Sequence, residues 1–329
     1  MELMGEYLLF LAKGLTLVIL ILAALAGVLG MLARGRHADK AVVQIKHLNQ
    51  QYERMQNSMR MALQKRKPLQ SLWQRKHKQR QKQPHKSVDE AVRRRVFVVN
   101  FQGDIMASAV ASLREEITAI LSVAEPPDEV LVRLESSGGI VHGYGLAASQ
   151  LVRVRDKGIP LTVVVDKIAA SGGYMMASVA NRLIAAPFAV IGSIGVVSQI
   201  PNFNRLLKKH DVDFEQFTAG EHKRTVTLFG ETTEAGRAKL REEVETTHEL
   251  FKSFLKTHRP TLEMDKVANG DHWFGTDALA LKLVDELRTS DDYLLDASTE
   301  ADLYEVTCLA KKKHWLAQLI GLTSRLAGR

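Results

Sequence analysis

Three glycine-bearing loops carry serines at positions where a reaction could be catalysed. They read Glu135-Ser136-Ser137-Gly138-Gly139, Ala169-Ala170-Ser171-Gly172-Gly173-Tyr174 and Ile191-Gly192-Ser193-Ile194-Gly195-Val196. The first two each follow an apolar strand pattern and precede a helical one, which places them at the carboxyl edge of a predicted parallel sheet. A hydroxyl there lies near backbone N–H groups that favour developing negative charge. Ser171 is therefore a candidate nucleophile, and an ordinary helix N-cap is the competing interpretation.

A serine hydroxyl is a weak nucleophile, so another residue must supply a general base. The candidates are three histidines and two lysines: His142, His210, His222, Lys167 and Lys223. A lysine with its ordinary pKa of about 10.4 is almost wholly protonated at neutral pH, so a lysine base would have to be desolvated. Most lysines are solvated surface charges, and spacing alone does not choose among the five candidates.

The elements that must position these loops follow from the apolar pattern. From about residue 96, short β-branched runs alternate with longer helical patterns. The runs cover 96–101, 130–134, 161–165 and 183–186, and the helical patterns between them cover 107–123 and 144–157. This alternation predicts an α/β fold of repeated βαβ units on a largely parallel sheet. A long amphipathic helix is predicted over 234–258, where packing or oligomer contact is the expected role.

An apolar run from Gly14 to Ala33 is long enough to span a bilayer, at about 30 Å of helical rise. We interpret residues 1–35 as a single N-terminal transmembrane anchor. A cleaved signal peptide with Ala24-Leu25-Ala26 at its cleavage site is the alternative, but the apolar run continues beyond that site. Because positive charges cluster after the run, the positive-inside rule places the rest of the chain on the cytoplasmic side.

The net charge of +8 in this 329-residue chain has a local origin. Residues 54–86 hold eleven Lys and Arg and no Asp or Glu, and the remainder is slightly acidic. We interpret 36–91 as a basic, low-core linker or partly helical segment, 92–290 as the main domain and 291–329 as a C-terminal extension. Beside an anchor, the basic stretch is expected to meet anionic lipid headgroups or water, and nucleic acid is not expected. The lone Cys308 excludes an intramolecular disulfide.

Taken together and in order, the loop motifs resemble those of the signal peptide peptidase A family of serine peptidases. The short chain, single anchor and basic juxtamembrane stretch resemble its SohB type. The likeness covers about residues 96–286. The segments that carry it are Leu134 to Gly139, Val165 to Ala177, Gly192 to Val196, Gly220-Glu221-His222-Lys223-Arg224 and Gly275 to Asp285.

The resemblance implies a crotonase-like (Clp-protease-like) α/β fold in a peptidase domain at 92–290. It also implies hydrolysis of peptides by a Ser-Lys dyad through an acyl-enzyme, with no cofactor and no metal. The nucleophile carries over to Ser171, in the Ala-Ser-Gly-Gly-Tyr motif, and the base to Lys223. Ser193, in Gly-Ser-Ile-Gly-Val, matches the hydroxyl that orients the lysine amine.

The oxyanion donors implied by the resemblance are the backbone N–H groups of Gly172 and of the Gly138-Gly139 pair, with Gly139 preferred. The family commonly has proline where Ser137 stands. Proline fixes φ, so we expect its loss to reduce the preorganisation of the oxyanion hole without abolishing activity.

The resemblance also implies a location and partners. The chain would be a single-pass protein of the bacterial inner membrane, acting on signal-peptide remnants or membrane-protein fragments. A homo-oligomer is expected, because the family commonly forms rings that enclose the active sites.

Two other classes compete with a peptidase. A nucleotide-binding oxidoreductase would use Gly143-Tyr144-Gly145-Leu146-Ala147-Ala148, but eight residues separate Leu134 from Gly143, whereas the fingerprint needs a glycine directly after its strand. A membrane scaffold of the same fold without activity is the other class, and the presence of both Ser171 and Lys223 argues against it. The Ser253-Phe254-Leu255-Lys256 match to S-x-x-K lacks its partner motifs, so surface charge is the better interpretation.

Overall fold

Runs of Val, Leu and Ile form the central strands of a mixed α/β sheet, as the alternating pattern predicts. The computed structural model describes residues 42–63, 93–220 and 222–309, together with Thr16. The strands in chain order are β1 (Val42–His47), β2 (Arg95–Gly103), β3 (Glu129–Ser136), β4 (Leu161–Val165), β5 (Ile168–Ala170), β6 (Arg182–Ala185), β7 (Val190–Gly192), β8 (His272–Phe274), β9 (Glu286–Leu287) and β10 (Asp302–Leu309).

Helices connect most of these strands. In chain order they are α1 (Leu48–Leu63), α2 (Val110–Leu121), α3 (Val141–Asp156), α4 (Gly172–Ala177), α5 (Asn204–Lys209), α6 (Glu234–His258), α7 (Met264–Val267), α8 (Gly275–Ala280) and α9 (Ser290–Glu300). The helices predicted over 107–123, 144–157 and 234–258 correspond to α2, α3 and α6. The prediction of an α/β fold is confirmed.

The main sheet has the strand order β1-β10-β2-β3-β4-β6-β9, and a branch of β5, β7 and β8 leaves it at β3. The pairs from β10 to β9 and from β3 through β5 to β7 are parallel, and β7 pairs with β8 in antiparallel fashion. In the branch, Ser136 is in register with Ala169, and Ala170 with Gly192. The three glycine-bearing loops therefore begin side by side at one edge of the sheet.

Both faces of the sheet are buried at its central strands β2, β3, β4 and β6, which explains why these strands are apolar along most of their length. Phe97, Val99 and Phe101 of β2 face the larger core with α2, α3 and α6, whereas Val96 and Val98 face a smaller cluster with α9 and the first turns of α1. Alternate residues of one strand enter different cores because successive side chains point to opposite faces. The sheet thus gives the loops at its edge a closely packed support.

The sheet continues beyond residue 290, where the sequence interpretation placed the start of an extension. Helix α9 buries Leu294, and β10 pairs with β2 in register from Asp302 opposite Arg95. Residues 43–308 form one compact unit. Helix α9 and strand β10 complete the smaller core, and β10 does so beside β2, whose residues lie more than 200 positions earlier in the chain.

Residues 42–63, within the predicted linker or partly helical segment, form β1 and α1, and α1 buries Leu48. The predicted anchor over 14–33 lies outside the described residues apart from Thr16, and so does the basic segment between residues 64 and 92. Within the ranges that are described, no helix is both long and apolar enough to cross a membrane.

Candidate active site

Ser171 lies in the turn between β5 and α4, with backbone angles φ 51° and ψ −119°. A positive φ in a residue with a side chain costs about 1–3 kcal/mol and persists only where surrounding contacts hold it. One such contact is the Ser171 N–H, which donates to the Gly192 carbonyl oxygen at 2.8 Å. The side chain makes no capping hydrogen bond with α4. The hydroxyl is therefore not used as an N-cap, which removes the competing interpretation of this residue.

The loop after β3 approaches Ser171 without an intervening side chain. Gly138 has φ 88°, and a Cβ built on it would lie 2.8 Å from the Ala170 carbonyl oxygen, the Gly172 nitrogen and the Ser171 Cβ. Two of those neighbours are backbone atoms of the nucleophile turn, which cannot rotate away. Glycine is required here both for its left-handed conformation and for this close approach.

Three backbone N–H groups near Ser171, those of Gly138, Gly139 and Gly172, could donate a hydrogen bond to an oxyanion. The Gly138 N–H donates to the Ser136 hydroxyl at 3.1 Å, so it is not free to bind an oxyanion. Among the residues that the structure describes, the N–H groups of Gly139 and Gly172 have no acceptor. Available backbone donors beside a nucleophile can stabilise the negative charge of a tetrahedral intermediate.

A mostly apolar cavity of about 370 Å³ opens beside Ser171. Its wall combines the loop after β3, the turn between β5 and α4, the first turns of α3, the start of the segment after β7, and one face of α6. The lining residues are Gly139, Val141, Tyr144, Gly145, Ser149, Ser171, Gly172, Met175, Gly195, Val196, Val197, Thr247, Leu250, Phe251 and Phe254. The cavity has the size and chemistry to hold an apolar side chain.

Ser193 directly follows Gly192, the residue that accepts the Ser171 N–H. It too has a positive φ, of 51°, and its N–H donates to the Asp271 carbonyl oxygen at 2.6 Å. The loop before β8 therefore fixes the backbone at Ser193. Within the described part of the chain, the Ser193 hydroxyl has no hydrogen-bond partner, so it is available to orient another group.

Lys223 lies in an exposed segment between β7 and α6, where its own N–H donates to the Gly220 carbonyl oxygen at 3.2 Å. Neither Lys223 nor any other candidate base lines the cavity. Lys167 instead pairs with Glu135 at 3.0 Å, and His142 is exposed. The structure thus brings Ser171 together with Gly138, Gly139 and Gly172, whereas it leaves the candidate bases outside the cavity.

The competing motifs lie in positions that do not fit their chemistry. Gly143 and Gly145 lie inside α3, so the G-x-G-x-x-A match does not form the tight turn after a strand that dinucleotide binding needs. Ser253 and Lys256 lie within α6 and do not line the cavity.

Sequence reasoning missed three residues that line the cavity, one on α3 and two on α6. Tyr144 is fully buried beside Ser171, although it lay in what was interpreted as a spurious nucleotide motif. Leu250 and Phe254 line the cavity from α6, which was interpreted only as a packing or oligomer helix. Leu250 is 68% exposed although apolar, and its place one helical turn before Phe254 is the only signal that could have indicated a wall.

Comparison with known proteins places the chain in a peptidase family. Residues 2–151 match the description Peptidase family S49 N-terminal, and residues 153–304 match Peptidase family S49. The chain belongs to peptidase family S49. A Haemophilus influenzae protein named Probable protease SohB is 62% identical over 217 residues, which cover 66% of this chain and 62% of that protein. More than a third of that relative is therefore unmatched.

A second relative, from Buchnera aphidicola subsp. Schlechtendalia chinensis, is also named Probable protease SohB. It is 47% identical over 308 residues, covering 90% of this chain and 99% of that protein. Among solved structures, a mutant of ClpP1 from Listeria monocytogenes matches 60% of this chain and 94% of its own with a TM-score of 0.41 and 14% identity. That likeness is too distant to support a conclusion about this chain.

Replacing Gly138 by alanine should reduce the reactivity of Ser171. Gly158 is a matched control, since its φ of 77° is also left-handed but a Cβ there would meet nothing within 4 Å. Each substitution should cost about 1 kcal/mol of stability because of the positive φ, and Gly138→Ala should cost more because its Cβ meets backbone atoms. Only Gly138→Ala should also slow labelling of Ser171 by a fluorophosphonate probe, by roughly tenfold or more, because it displaces the loop that carries the Gly139 N–H. Equal labelling rates in the two variants would contradict this assignment.

Proposed function

We propose that this chain is a membrane-anchored serine peptidase that hydrolyses peptides through an acyl-enzyme on Ser171. The observation that carries the proposal is the arrangement around the Ser171 hydroxyl. The hydroxyl makes no capping bond and lies on a turn held at positive φ. It adjoins an apolar cavity and two N–H groups that have no acceptor among the described residues. Membership of a peptidase family supports the same reaction.

In the proposed reaction the Ser171 Oγ attacks the carbonyl carbon of the scissile peptide bond, and its proton passes to the neutral amine of Lys223. The resulting oxyanion is stabilised by the N–H groups of Gly139 and Gly172. As the C–N bond breaks, the Lys223 ammonium returns the proton to the leaving amine. A water molecule, deprotonated in the same way, then hydrolyses the Ser171 ester and regenerates the hydroxyl.

This mechanism requires Lys223 to reach Ser171 in a place from which water is excluded, because only a neutral amine accepts the proton. The segment that carries Lys223 exposes several apolar side chains, which include Val197, Phe214 and Phe217. Within the segment, Phe229 contacts both Phe203 and Phe214, and all three rings are partly exposed. An exposed apolar cluster of this kind commonly marks a protein contact. We propose that this segment is covered in a homo-oligomer and that Ser193 orients the amine there.

Ser171→Ala, Lys223→Ala and the double change should each lower peptide hydrolysis by a similar large factor, because members of a dyad act as one unit and their effects do not add. The measurement is kcat/KM on a fluorogenic peptide. Full activity in Lys223→Ala would contradict the assignment of the base. If Ser171 is not labelled by a fluorophosphonate in the intact protein, the chain is instead a scaffold without peptidase activity.

Mixing the two single variants tests where the lysine comes from. If Lys223 acts on the Ser171 of its own chain, an oligomer assembled from Ser171→Ala and Lys223→Ala subunits stays inactive. If it acts on a neighbouring copy, mixing restores a fraction of the activity.

We propose that the substrates are peptides with an apolar side chain next to the scissile bond, such as signal-peptide remnants or membrane-protein fragments. The support is the cavity beside Ser171, whose wall is formed largely by Val, Leu, Met and Phe side chains. An apolar side chain entering it would leave water and contribute about 0.8 kcal/mol per buried methylene.

Narrowing this cavity should change the choice of substrate without unfolding the protein. Gly145 lines the cavity, and a Cβ built on it meets nothing within 4 Å, so a larger side chain has space to enter. Gly145→Leu should raise KM about tenfold for peptides with leucine at the cleaved bond and leave alanine peptides nearly unchanged. Gly145→Ala, the control, should affect neither. An equal fall in kcat/KM for leucine and alanine peptides would contradict the role of the cavity in specificity.

We propose that residues 14–33 anchor the protein in the bacterial inner membrane, with the peptidase domain on the cytoplasmic side. The basic residues over 54–86 would contact anionic headgroups there. The exposed face of α1 supports a surface contact, since Met55, Met59 and Leu63 follow one another at intervals of four residues on its outer side.

The anchor and the basic stretch can be tested separately. The full chain should stay in the membrane fraction through alkaline carbonate extraction, and a variant lacking residues 2–33 should be extracted. That truncated variant should bind vesicles containing phosphatidylglycerol more tightly than neutral vesicles, in a salt-dependent way. Extraction of the full chain, or a mature N-terminus at Gly27, would contradict the anchor.

A further inference from the structure

A chain of hydrogen bonds supports the loop that carries Gly139. The Tyr144 hydroxyl donates its single proton to the Asp104 carbonyl oxygen at 2.8 Å. It lies 2.6 Å from the Ser136 hydroxyl, which must therefore be the donor of that pair. Ser136 in turn accepts the Gly138 N–H at 3.1 Å. Every hydroxyl in this chain is both donor and acceptor, so the direction of the whole chain is fixed.

The ring of Tyr144 contacts the other donor loop. A Cβ built on Gly172 would lie 2.4 Å from the Tyr144 Cγ, so the ring packs directly against the backbone of Gly172. Tyr144 has no solvent-exposed surface and lines the cavity beside Ser171. A single side chain thus touches the backbone of Gly172 through its ring and orders Gly138, next to Gly139, through its hydroxyl.

The hydroxyl groups of Tyr144 and Ser136 fit against Gly103 only because that residue has no side chain. A Cβ on Gly103, at the end of β2, would lie 2.4 Å from the Tyr144 Oη and 2.5 Å from the Ser136 Oγ. Burial raises the pKa of the Tyr144 phenol above its ordinary value, which keeps the hydroxyl protonated and the direction of the chain unchanged over the working pH range. A neutral, fully bonded buried network of this kind holds its members in one arrangement.

We propose that Tyr144, acting through Ser136, is the positioning residue that sets the spacing of the two oxyanion donors, Gly139 and Gly172. This inference rests on the proposed function. The Ser136–Gly138 hydrogen bond holds the loop that carries Gly139, and the bond from Ser136 to the buried Tyr144 hydroxyl ties that loop to α3.

Tyr144→Phe keeps the ring and removes the hydroxyl, so it should loosen the Gly139 side of the oxyanion hole only. We expect kcat to fall about tenfold to a hundredfold with little change in KM, because the donors act on the transition state more than on the bound peptide. The inhibition constant of a peptide aldehyde, which forms a tetrahedral adduct with the serine, should rise by the same factor. A destabilising effect alone would not produce that proportionality.

Two further variants make the test specific. Ser136→Ala breaks the same chain and should reproduce the loss, and the double variant should lose no more than the larger single effect, because one chain is broken in each case. Tyr293→Phe is the matched control. It removes another buried hydroxyl, which donates to Glu129 Oε1 at 2.7 Å in the smaller core, and should lower the melting temperature with kcat and aldehyde affinity unchanged.

The outcomes separate this inference from the proposed function. If the unmodified protein hydrolyses peptides and Tyr144→Phe matches it in kcat and aldehyde affinity, the positioning role is wrong and the peptidase stands. If Tyr293→Phe loses as much kcat as Tyr144→Phe, the effect is general destabilisation and the role is also wrong. If the unmodified protein neither hydrolyses peptides nor is labelled at Ser171, both proposals fail. Should Tyr144→Phe not fold, Ser136→Ala decides, since it leaves the ring in place.

Discussion

The approach of two backbones without side chains between them is the constraint on which the candidate site depends. Gly138 lies against Ser171 and Gly172 at distances that a Cβ could not occupy. Because of this contact, donors from two different loops can flank one hydroxyl. The positive φ at Ser171 has the same origin, since the turn must pass between the ends of β3 and β7 while its N–H reaches Gly192.

Strain of this kind persists only on a rigid support. The parallel sheet supplies it, because β3, which ends at the site, has side chains in both cores. Strands β5 and β7 place Ala169 and Ile191 in the larger core. Strand β10 and helix α9 complete the smaller core. A segment that looks peripheral in sequence therefore packs against one face of β3.

The proposed nucleophile and its surroundings are assembled within one chain, but the proposed base lies outside the cavity. Ser171, the two available N–H groups and the cavity are in place within one chain, whereas Lys223 lies on an exposed segment rich in apolar side chains. The separation of Lys223 from the cavity has a physical explanation if Lys223 is the base. Its amine must lose water to act, so a contact that covers the segment would govern whether the nucleophile is activated.

The sequence by itself determined the α/β class, the central strands, the loops at the carboxyl edge and the candidacy of Ser171, because these depend on periodicity and on local turn chemistry. Tertiary structure decided the rest. Three features could not be predicted: the bond from the Gly138 N–H to Ser136, the placement of Tyr144 between two loops, and the pairing of β10 with β2. The wall formed by α6 left only the four-residue spacing of Leu250 and Phe254 as a signal. Each of these features depends on contacts between elements whose mutual placement is set by the packing of the cores, which local periodicity does not encode.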